Sequence, residues 1–447
     1  MQKNITIIGA GLVGSLLSIF LARRGHKVNV YERRGDMRKE KIVAGRSINL
    51  ALSDRGWKAL DLVGIGDDIR KIAIPMYGRF IHHQDGSTNY QPYGKEQQAI
   101  YSVSRGGINC ALMDLAEKQA NVSIQFNERC DKIDWKNNAV VFENNETKKL
   151  NAVASHHIFA SDGAFSAGRL QMQLNADRFD YNQFYIDCGY KELTIPAGEG
   201  GKFLMEKNAL HIWPRGKFMM IALPNFDGSF TCTLFFPFEG EQSFGALTTK
   251  EKAQSFFTEY FSDAVPLMPT LLHDYFANPT ASLVTVKCFP WTNGDKFSLI
   301  GDAAHAIVPF FGQGMNCGFE DCTVLNALLD EHNEDWALVF KEFEKSRKPD
   351  ADAIADLAIQ NFVEMRDLVG TPKFLLQKKI EAKFSTKYPD KWIPAYSMVT
   401  FSPDIRYSEA LRNGKRQQQI MDKVMEQANI ADNWESDEIE KLMLSQL

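Results

Sequence analysis

Acidic, glycine and histidine residues with the spacing of a ligand site occur together at Gly301-Asp302-Ala303-Ala304-His305. A second glycine-rich run, Gly312-Gln313-Gly314-Met315-Asn316, follows a loop that contains Pro309. Glycine lets backbone N–H groups approach a ligand, and the dipole at a helix N-terminus favours negative charge. Because a carboxylate repels a phosphate, we expect Asp302 to accept a hydrogen bond from a sugar hydroxyl. The pattern predicts a loop for a large anionic cofactor, whereas two glycines alone would indicate only a strand turning into a helix.

The N-terminal segment supplies another glycine cluster, Gly9-x-Gly11-x-x-Gly14, directly after the apolar run of residues 5–8. A helical apolar pattern follows, and the next apolar run, residues 28–31, ends at Glu32. In dinucleotide-binding folds an acidic residue about 20 positions after the glycines, at the tip of the second strand, holds a ribose hydroxyl. Strand, glycine turn, helix, second strand and acid occur here in that order. We therefore predict a dinucleotide-type βαβ unit.

A third corner of this kind occurs at Asp162-Gly163, after the apolar run 158–160. Ser166 and Arg169 follow at a spacing that suits contact with a sugar or a phosphate. By itself the segment would indicate only a turn, but together with the other two corners it supports a nucleotide site. Arg46, close to the first unit, is either a phosphate partner or a surface arginine.

The composition is typical of a large soluble protein. The chain has 447 residues, 44% of them hydrophobic and 24% charged, which predicts two or three domains. A net charge of −5 argues against nucleic acid as a partner. The seven cysteines form no C-x-x-C pair, which is typical of reduced thiols in a cytosolic protein. There is no apolar run of about 18 residues and no room for a signal peptide, so we expect a cytoplasmic protein without a membrane anchor.

The periodicity changes along the chain. Strand-like segments dominate from about Phe184 to Pro290, where the turn Asn225-Phe226-Asp227-Gly228 predicts a hairpin. Phe236 and Phe238 in this region could wall a flat apolar ligand or belong to the core. The neighbouring pairs His82-His83 and His156-His157 alternate between opposite strand faces, so we predict no metal site.

The three corners resemble the fingerprints of the FAD-dependent class A aromatic hydroxylases, in the same order over the first ~320 residues. Four further segments resemble the branch of this family that hydroxylates L-kynurenine: Arg46-Ser-Ile-Asn-Leu-Ala-Leu, Leu210-His-Ile-Trp-Pro-Arg-Gly-Lys-Phe-Met-Met-Ile-Ala-Leu-Pro, His305-Ala-Ile-Val-Pro-Phe-Phe-Gly-Gln-Gly-Met-Asn and Tyr396-Ser-Met-Val-Thr-Phe-Ser. The similarity runs from Ile5 to about Tyr407. In two respects the chain departs from the family. Gly168 stands before Arg169 where a branched residue is usual, and the hydrophobic C-terminal anchor of the eukaryotic enzymes is not found, which implies a bacterial, soluble form.

The resemblance implies a mixed α/β fold: a Rossmann-like FAD-binding domain with an inserted β-sheet substrate domain and a helical C-terminal region. We expect the FAD-binding domain to be discontinuous and to comprise residues 1–75, 101–180 and 290–330. The substrate domain is expected to comprise residues 76–100 and 181–289, and the helical region residues 331–447.

The activity implied by the resemblance is NADPH-dependent hydroxylation. NADPH would reduce FAD, O₂ would form a flavin C4a-hydroperoxide, and one oxygen atom would pass to the ring carbon ortho to the amine of L-kynurenine. The product, 3-hydroxy-L-kynurenine, belongs to tryptophan catabolism and to the quinolinate route to NAD. Three alternatives keep the FAD site: a hydroxylase of another aromatic acid, a flavoprotein oxidase or reductase, and an inactive flavin sensor. A homodimer is a further possibility.

Candidate substrate residues follow from the amino-acid part of this substrate. Arg79 is the best carboxylate partner, because a guanidinium binds a carboxylate through two parallel hydrogen bonds; a solvated strand arginine is the alternative. Asn361 and Glu364 are three residues apart and share a helix face, where they would bind the amino-acid head or form an exposed polar face. Further substrate contacts implied by the resemblance are Tyr93, Tyr396 and Phe310.

The three corners and the resemblance together predict the following FAD contacts: Gly9, Gly11, Val13, Gly14, Glu32, Arg34, Ala51, Arg105, Cys130, Asp162, Asp302, Gly314, Met315 and Asn316. Pro309, Phe310 and Phe311 are expected to form a lid over the reactive edge of the flavin. His305 is either an acid in the reaction or a structural residue of its motif.

Overall fold

The computed structural model describes residues 1–39, 49–94, 98–369 and 371–447. Arg46 therefore lies outside the described residues. Strands and helices mix as far as residue 300, and helices dominate after it. This is the mixed α/β fold with a helical C-terminal region that the sequence predicts.

The strands, numbered in chain order, are β1 (Asn4–Ile8), β2 (Lys27–Tyr31), β3 (Asn49–Leu52), β4 (Ile74–Met76), β5 (Gly78–His82), β6 (Thr88–Pro92), β7 (Ile100–Ser104), β8 (Val122–Gln125), β9 (Glu128–Asp134), β10 (Ala139–Asn144), β11 (Leu150–Ala154), β12 (His157–Ala160), β13 (Asp180–Ile195), β14 (Ala209–Pro214), β15 (Met219–Pro224), β16 (Phe230–Pro237), β17 (Ala281–Phe289), β18 (Thr292–Asn293) and β19 (Phe297–Leu299). The helices are α1 (Leu12–Arg23), α2 (Asp54–Leu62), α3 (Gly66–Arg70), α4 (Arg105–Glu117), α5 (Ala167–Asn175), α6 (Lys250–Tyr260), α7 (Leu271–Ala277), α8 (Asp302–His305), α9 (Gly314–Glu331), α10 (Trp336–Val363), α11 (Pro372–Lys387), α12 (Ala395–Thr400), α13 (Tyr407–Met425), α14 (Ile430–Asn433) and α15 (Asp437–Gln446).

A six-stranded sheet in the order β18-β19-β12-β1-β2-β8 carries the nucleotide corners. β1 is parallel to both of its neighbours, with Ile7 opposite Val30 of β2 and Phe159 of β12. A buried apolar cluster joins these strands to α1, α4 and α9, and such burial explains why the strands are continuous apolar runs. Because parallel strands end at the same edge, Gly9 and Glu32 follow their strands on the same side of the sheet.

A seven-stranded sheet in the order β17-β13-β16-β15-β14-β5-β6 forms the second layer of the site. β15 and β16 are the predicted hairpin, in which Met219 pairs with Phe235. These two side chains join an apolar cluster with residues of α10. Their neighbours Met220 and Phe236 belong to another cluster, with residues of α6 and α7. Strand alternation thus gives the sheet two separately packed faces.

The helical C-terminal region packs partly on the site and partly on itself. α10 runs directly into a π-helical turn, Glu364–Leu368, below the seven-stranded sheet. α11, α13 and α15 share their own apolar core. Among the described residues, no helix is long and apolar enough to cross a membrane. The domain boundaries given above stay predictions.

Candidate functional site

A continuous cavity of about 680 Å³ extends from the glycine corners to the seven-stranded sheet. The predicted site residues that line it are Gly9, Gly11, Val13, Glu32, Arg34, Ala51, Arg79, Arg105, Cys130, Asp162, Asp302, Pro309, Phe310, Phe311, Gly314, Met315 and Tyr396. The fold therefore brings together the three glycine corners and Arg79 of β5, which are far apart in the sequence. A mostly apolar cavity with a few polar groups is the usual form of a small-molecule site.

The first glycine cluster has the geometry of a phosphate loop. Gly9 has a φ of +99°, which side chains rarely adopt. A Cβ on Gly14 would lie 2.0 Å from the carbonyl oxygen of Gly9, so this glycine lets α1 pack closely on the loop. Gly11 lines the cavity, and a Cβ on it would meet no atom within 4 Å. Gly14 is thus a packing residue, whereas the backbone of Gly11 is open to a ligand.

Glu32 turns its carboxylate back toward this loop from the end of β2. Oε2 accepts a hydrogen bond from the N–H of Ala10 at 3.0 Å, and Oε1 accepts from Nε of Arg34 at 2.9 Å. The residue is buried yet lines the cavity, so a ribose hydroxyl can reach it. The guanidinium of Arg34 is largely exposed at the mouth.

Asp302 opens α8 at the corner formed by Gly301, whose φ is +62°. Burial raises the pKa of the Asp302 carboxyl above its ordinary value, and the Arg105 guanidinium acts against that shift. Burial also raises the pKa of the Cys130 thiol to about 12, so this cysteine is a neutral wall residue. The carboxyl of Asp302 is therefore the polar group that this corner presents to the cavity.

The Asp162 corner is stabilised by hydrogen bonds within its own segment. Its carboxylate accepts hydrogen bonds from the Ser166 hydroxyl and from backbone N–H groups at the start of α5. Arg169 donates from Nη1 to the carbonyl of Ala303 at 2.8 Å, which ties this corner to α8. Ser166 and Arg169 do not line the cavity, so the interpretation of these two residues as sugar or phosphate contacts is corrected.

The lid, Pro309–Phe311, is a 3₁₀ turn that ends at Gly312, whose φ is +66°. The Phe310 ring stacks on Phe362 of α10 with centroids 4.1 Å apart. Asn361 donates from Nδ2 to the carbonyl of Phe310 at 2.6 Å and does not line the cavity. The Asn361 amide therefore supports the lid, and its direct contact with the substrate stays a prediction.

The side chain of Asn316 also supports the loop. Its Oδ1 accepts from the N–H of Ser53 at 2.9 Å. Its Nδ2 donates to the carbonyls of Ala51 at 2.8 Å and Gly312 at 2.7 Å. Because backbone groups bond to both ends of this buried amide, the side chain fixes the loop against β3. A contact between Asn316 and FAD stays a prediction.

At the sheet end of the cavity, Arg79 lies in an aromatic surrounding. Its guanidinium carbon is 4.7 Å from the ring centroid of Tyr396 and 5.6 Å from that of Tyr93. Nη1 is 4.0 Å from Oε1 of Glu364. Arg79 and Tyr396 line the cavity, whereas Glu364 and Tyr93 lie behind them and do not. Nε of Arg79 is buried without a hydrogen-bond partner among the described residues. Such groups carry a free-energy cost that a polar ligand would remove.

Of the two interpretations of Phe236 and Phe238, wall of the cavity or core, the packing favours the core. Phe236 is fully buried on the other face of the sheet, and Phe238 packs against Phe244 and does not line the cavity. Phe235 lines the cavity instead, as does Met365. The signal for Phe235 was present, because it pairs with Met219 on the hairpin and shares its face.

A buried charge network beneath the corners was missed as well. His305 Nε2 lies 2.6 Å from Asp321, and Arg347 donates to the same carboxylate at 2.7 Å. Burial disfavours the charge of His305, but Asp321 raises the pKa of His305 well above its ordinary value. His305, Cys317 and Asp321 hold their ligating atoms within 4.8 Å of one another, yet Arg347 supplies the positive charge that a metal ion would bring. His305 does not line the cavity, which supports its structural interpretation.

Comparison with known proteins identifies the class. Residues 2–358 match a family described as FAD binding domain. The structure is similar to 2-methyl-3-hydroxypyridine-5-carboxylic acid oxygenase, with a TM-score of 0.66 and 18% identity over 84% of this chain and 95% of that one. That likeness concerns the fold. The chain belongs to the FAD-binding family.

The relatives narrow this class. The chain is 50% identical over 444 residues to the kynurenine 3-monooxygenase of Christiangramia forsetii, covering 99% of this chain and 98% of the relative. It is 51% identical over 449 residues to the kynurenine 3-monooxygenase of Flavobacterium psychrophilum, covering 100% of this chain and 99% of the relative. The chain is therefore a flavin-dependent monooxygenase and belongs to the kynurenine 3-monooxygenase family, which confirms the resemblance drawn from the motifs.

Proposed function

We propose that this chain hydroxylates L-kynurenine to 3-hydroxy-L-kynurenine, with FAD as cofactor and NADPH and O₂ as co-substrates. The observation that carries the proposal is the cationic group at the sheet end of the cavity. Arg79 lines this end, and its Nε is buried without a partner among the described residues. A carboxylate is the ligand group that such a guanidinium binds best.

The neighbouring groups suit the rest of the amino-acid head. Glu364 lies 4.0 Å from Arg79, so a negative charge is available for an α-ammonium next to the site for the carboxylate. The phenol of Tyr93, whose ring centroid is 5.6 Å from the Arg79 guanidinium carbon, suits a further hydrogen bond. An arrangement of cation, anion and phenols fits a zwitterionic aromatic amino acid better than a simple aromatic acid.

The cofactor would be held by the residues around the glycine corners. The open backbone at Gly11 suits a pyrophosphate, and the Glu32 and Asp302 carboxyls suit hydroxyl groups of the ribose and ribityl parts. When bound, FAD supplies the electron transfer from NADPH and the activation of O₂. The aromatic walls formed by Phe235 and Phe310 keep the reacting ring away from water.

The ring of kynurenine needs little chemical help from side chains, since its amine already makes the ortho carbon electron-rich. The protein therefore acts mainly by positioning the substrate. The charged groups fix the amino-acid head, and the sheet and the lid fix the plane of the ring. Further parts of the proposal are a role in tryptophan catabolism and in quinolinate and NAD biosynthesis, a cytoplasmic location and a homodimeric state.

The test is the oxidation of NADPH by the purified protein with and without L-kynurenine, with product analysis by mass spectrometry. We expect a yellow protein with non-covalent FAD whose NADPH oxidation depends on kynurenine and yields 3-hydroxykynurenine. Stimulation by a different aromatic acid alone would favour another hydroxylase. Equal oxidation in both samples, all ending as hydrogen peroxide, would favour an oxidase.

A further inference from the structure

The loop between the lid and α9 is held by a residue from the far end of the chain. Gln313 stands between Gly312 and Gly314, its side chain is buried, and its Oε1 accepts a hydrogen bond from the hydroxyl of Tyr407 at 2.8 Å. Tyr407 is the first residue of α13 and is fully buried. It lies outside residues 2–358, which match the FAD-binding family.

Tyr407 is itself held by a rigid surrounding. The guanidinium carbon of Arg55 lies 4.0 Å from the centroid of its ring. Arg55 donates to the carbonyls of Val399 at 2.8 Å and Met398 at 3.2 Å, and it pairs with Glu320 of α9. Because arginine is always charged and carries five donors, it can fix the ring and the chain before α13 together.

The buried charge network connects the Tyr407–Arg55 pair to the Gly301 corner of the cofactor site. Glu320 pairs with Arg347 at 2.6 Å, and Arg347 pairs with Asp321 at 2.7 Å. Asp321 accepts from the N–H of Gly301 at 3.0 Å. Partners in such buried pairs cannot separate without leaving an uncompensated charge. The Gly301 corner and the Gln313 loop therefore share a rigid frame, and Tyr407 attaches the loop to it.

We infer that Tyr407 is a positioning residue for the flavin: through Gln313 it fixes the loop that lines the cavity between the lid and Met315. The C-terminal helical region then contributes to the cofactor site as well as to the substrate pocket. This inference rests on FAD binding, which the family assigns, and does not depend on kynurenine being the substrate.

Gln313 transmits the effect because it is the N-cap residue of α9. Its carbonyl accepts from the N–H of Cys317 at 2.7 Å, in the first turn of α9. Without the Tyr407 hydroxyl, Oε1 of the buried Gln313 amide would lose its hydrogen-bond donor, and the side chain would rotate toward another donor. Any such turn shifts the backbone of Gly312 and Gly314, and Gly314 lines the cavity.

The test uses Tyr407→Phe, which keeps the ring on Arg55 and removes only the hydroxyl, and Gln313→Met, which removes the same hydrogen bond from the loop side. We expect each variant to bind FAD about tenfold more weakly in fluorescence titrations and to shift the visible circular dichroism of the bound flavin. The double variant should bind FAD as tightly as the single variant with the lower affinity, because both changes remove the same hydrogen bond.

The matched control is Tyr388→Phe, which removes a phenol hydrogen bond to Glu440 within the same helical region. It should leave the FAD dissociation constant and the flavin spectrum unchanged. A merely structural role for Tyr407 predicts a lower melting temperature with an unchanged flavin spectrum and FAD affinity, and that outcome overturns the inference. Additive losses in the double variant overturn it as well. Neither measurement requires turnover, so failure of the kynurenine assay leaves this test intact.

Discussion

Nη1 of Arg79 on β5 and Oε1 of Glu364, just beyond α10, lie 4.0 Å apart at the sheet end of the cavity. This separation is longer than a hydrogen bond, so the two charges attract each other without satisfying each other's donors and acceptors. A zwitterion can therefore bind to both groups without first breaking a short ion pair. Because the two residues belong to the sheet and to the C-terminal helices, a ligand between them also joins these two parts of the protein.

Arg79→Met is expected to weaken kynurenine binding by about 1.5–3 kcal/mol, the range for a hydrogen bond to a charged group. Methionine keeps the apolar stem against Tyr396, so FAD content and melting temperature should change little. Titration of the holoenzyme with kynurenine measures the effect. Arg70→Met, at an exposed arginine of α3, is the control. Unchanged kynurenine affinity in Arg79→Met would move the carboxylate site elsewhere.

Two alanine substitutions in the first glycine cluster should separate cofactor binding from folding. Gly14→Ala places a Cβ 2.0 Å from the carbonyl of Gly9, so it should lower the free energy of unfolding by about 1–3 kcal/mol even without FAD. Gly11→Ala meets no protein atom within 4 Å and should leave the apoprotein almost as stable as the parent.

In Gly11→Ala the added methyl group projects into the space where the backbone would approach a pyrophosphate, so FAD affinity should fall at least ~tenfold. Thermal unfolding of the apoproteins and FAD titrations provide the comparison. The two variants serve as controls for each other. A stable Gly11→Ala protein that binds FAD with parental affinity would argue against the proposed phosphate position.

The nucleotide part of the site could be predicted from sequence because its signals are local. At Gly9 and Glu32 a strand, a turn and a helix follow one another within one βαβ unit, and parallel strands place their ends at one edge. The Gly301 and Gly312 turns are equally local. Such segments specify backbone shape almost independently of the rest of the chain.

The remaining features depend on contacts between distant segments. The sequence left open whether Phe236 lies in the cavity wall or in the core, and its neighbour Phe235 lines the cavity, since a shift of one residue along a strand exchanges its faces. Asn361 was placed on the correct helix, but its partner, the carbonyl of Phe310, is a backbone group that no side-chain pattern reveals. The pairing of Glu320 with Arg55 and Arg347 joins three helices, and no spacing in the sequence encodes it.

His157 should make the protein less stable in mild acid. Burial lowers the pKa of this histidine from 6.5 to about 4, and its Nδ1 donates to the carbonyl of Asp295 at 2.6 Å. Between those two pH values only the unfolded chain takes up the proton, so the free energy of unfolding falls as the pH drops from 6.5 toward 4. The contribution is complete above pH 6.5 and amounts to at most about 3 kcal/mol.

His157→Asn keeps a donor near the position of Nδ1 and removes the titration. Denaturant unfolding at several pH values should show a shallower loss of stability below pH 6.5 than in the parent, although the loss of stacking on Trp336 lowers stability at every pH. His273→Asn, at an exposed histidine, is the comparison. An unchanged slope in His157→Asn would assign the acid sensitivity to other groups.

Asn361 should couple the substrate pocket to flavin reduction through the lid. In the parent we expect kynurenine to raise NADPH oxidation at least ~tenfold, which corresponds to only ~1.4 kcal/mol of barrier. Asn361→Leu leaves the buried carbonyl of Phe310 without its donor, so the lid should lose its preferred position. NADPH oxidation without kynurenine should then rise several-fold, and more of the oxygen should end as hydrogen peroxide.

Gln360→Leu, at the exposed neighbouring position of α10, should retain the parental dependence on kynurenine. If Asn361→Leu instead raises the KM for kynurenine while reduction stays substrate-dependent, the amide acts on the amino-acid head, as first predicted, and the lid is held by its aromatic contacts alone.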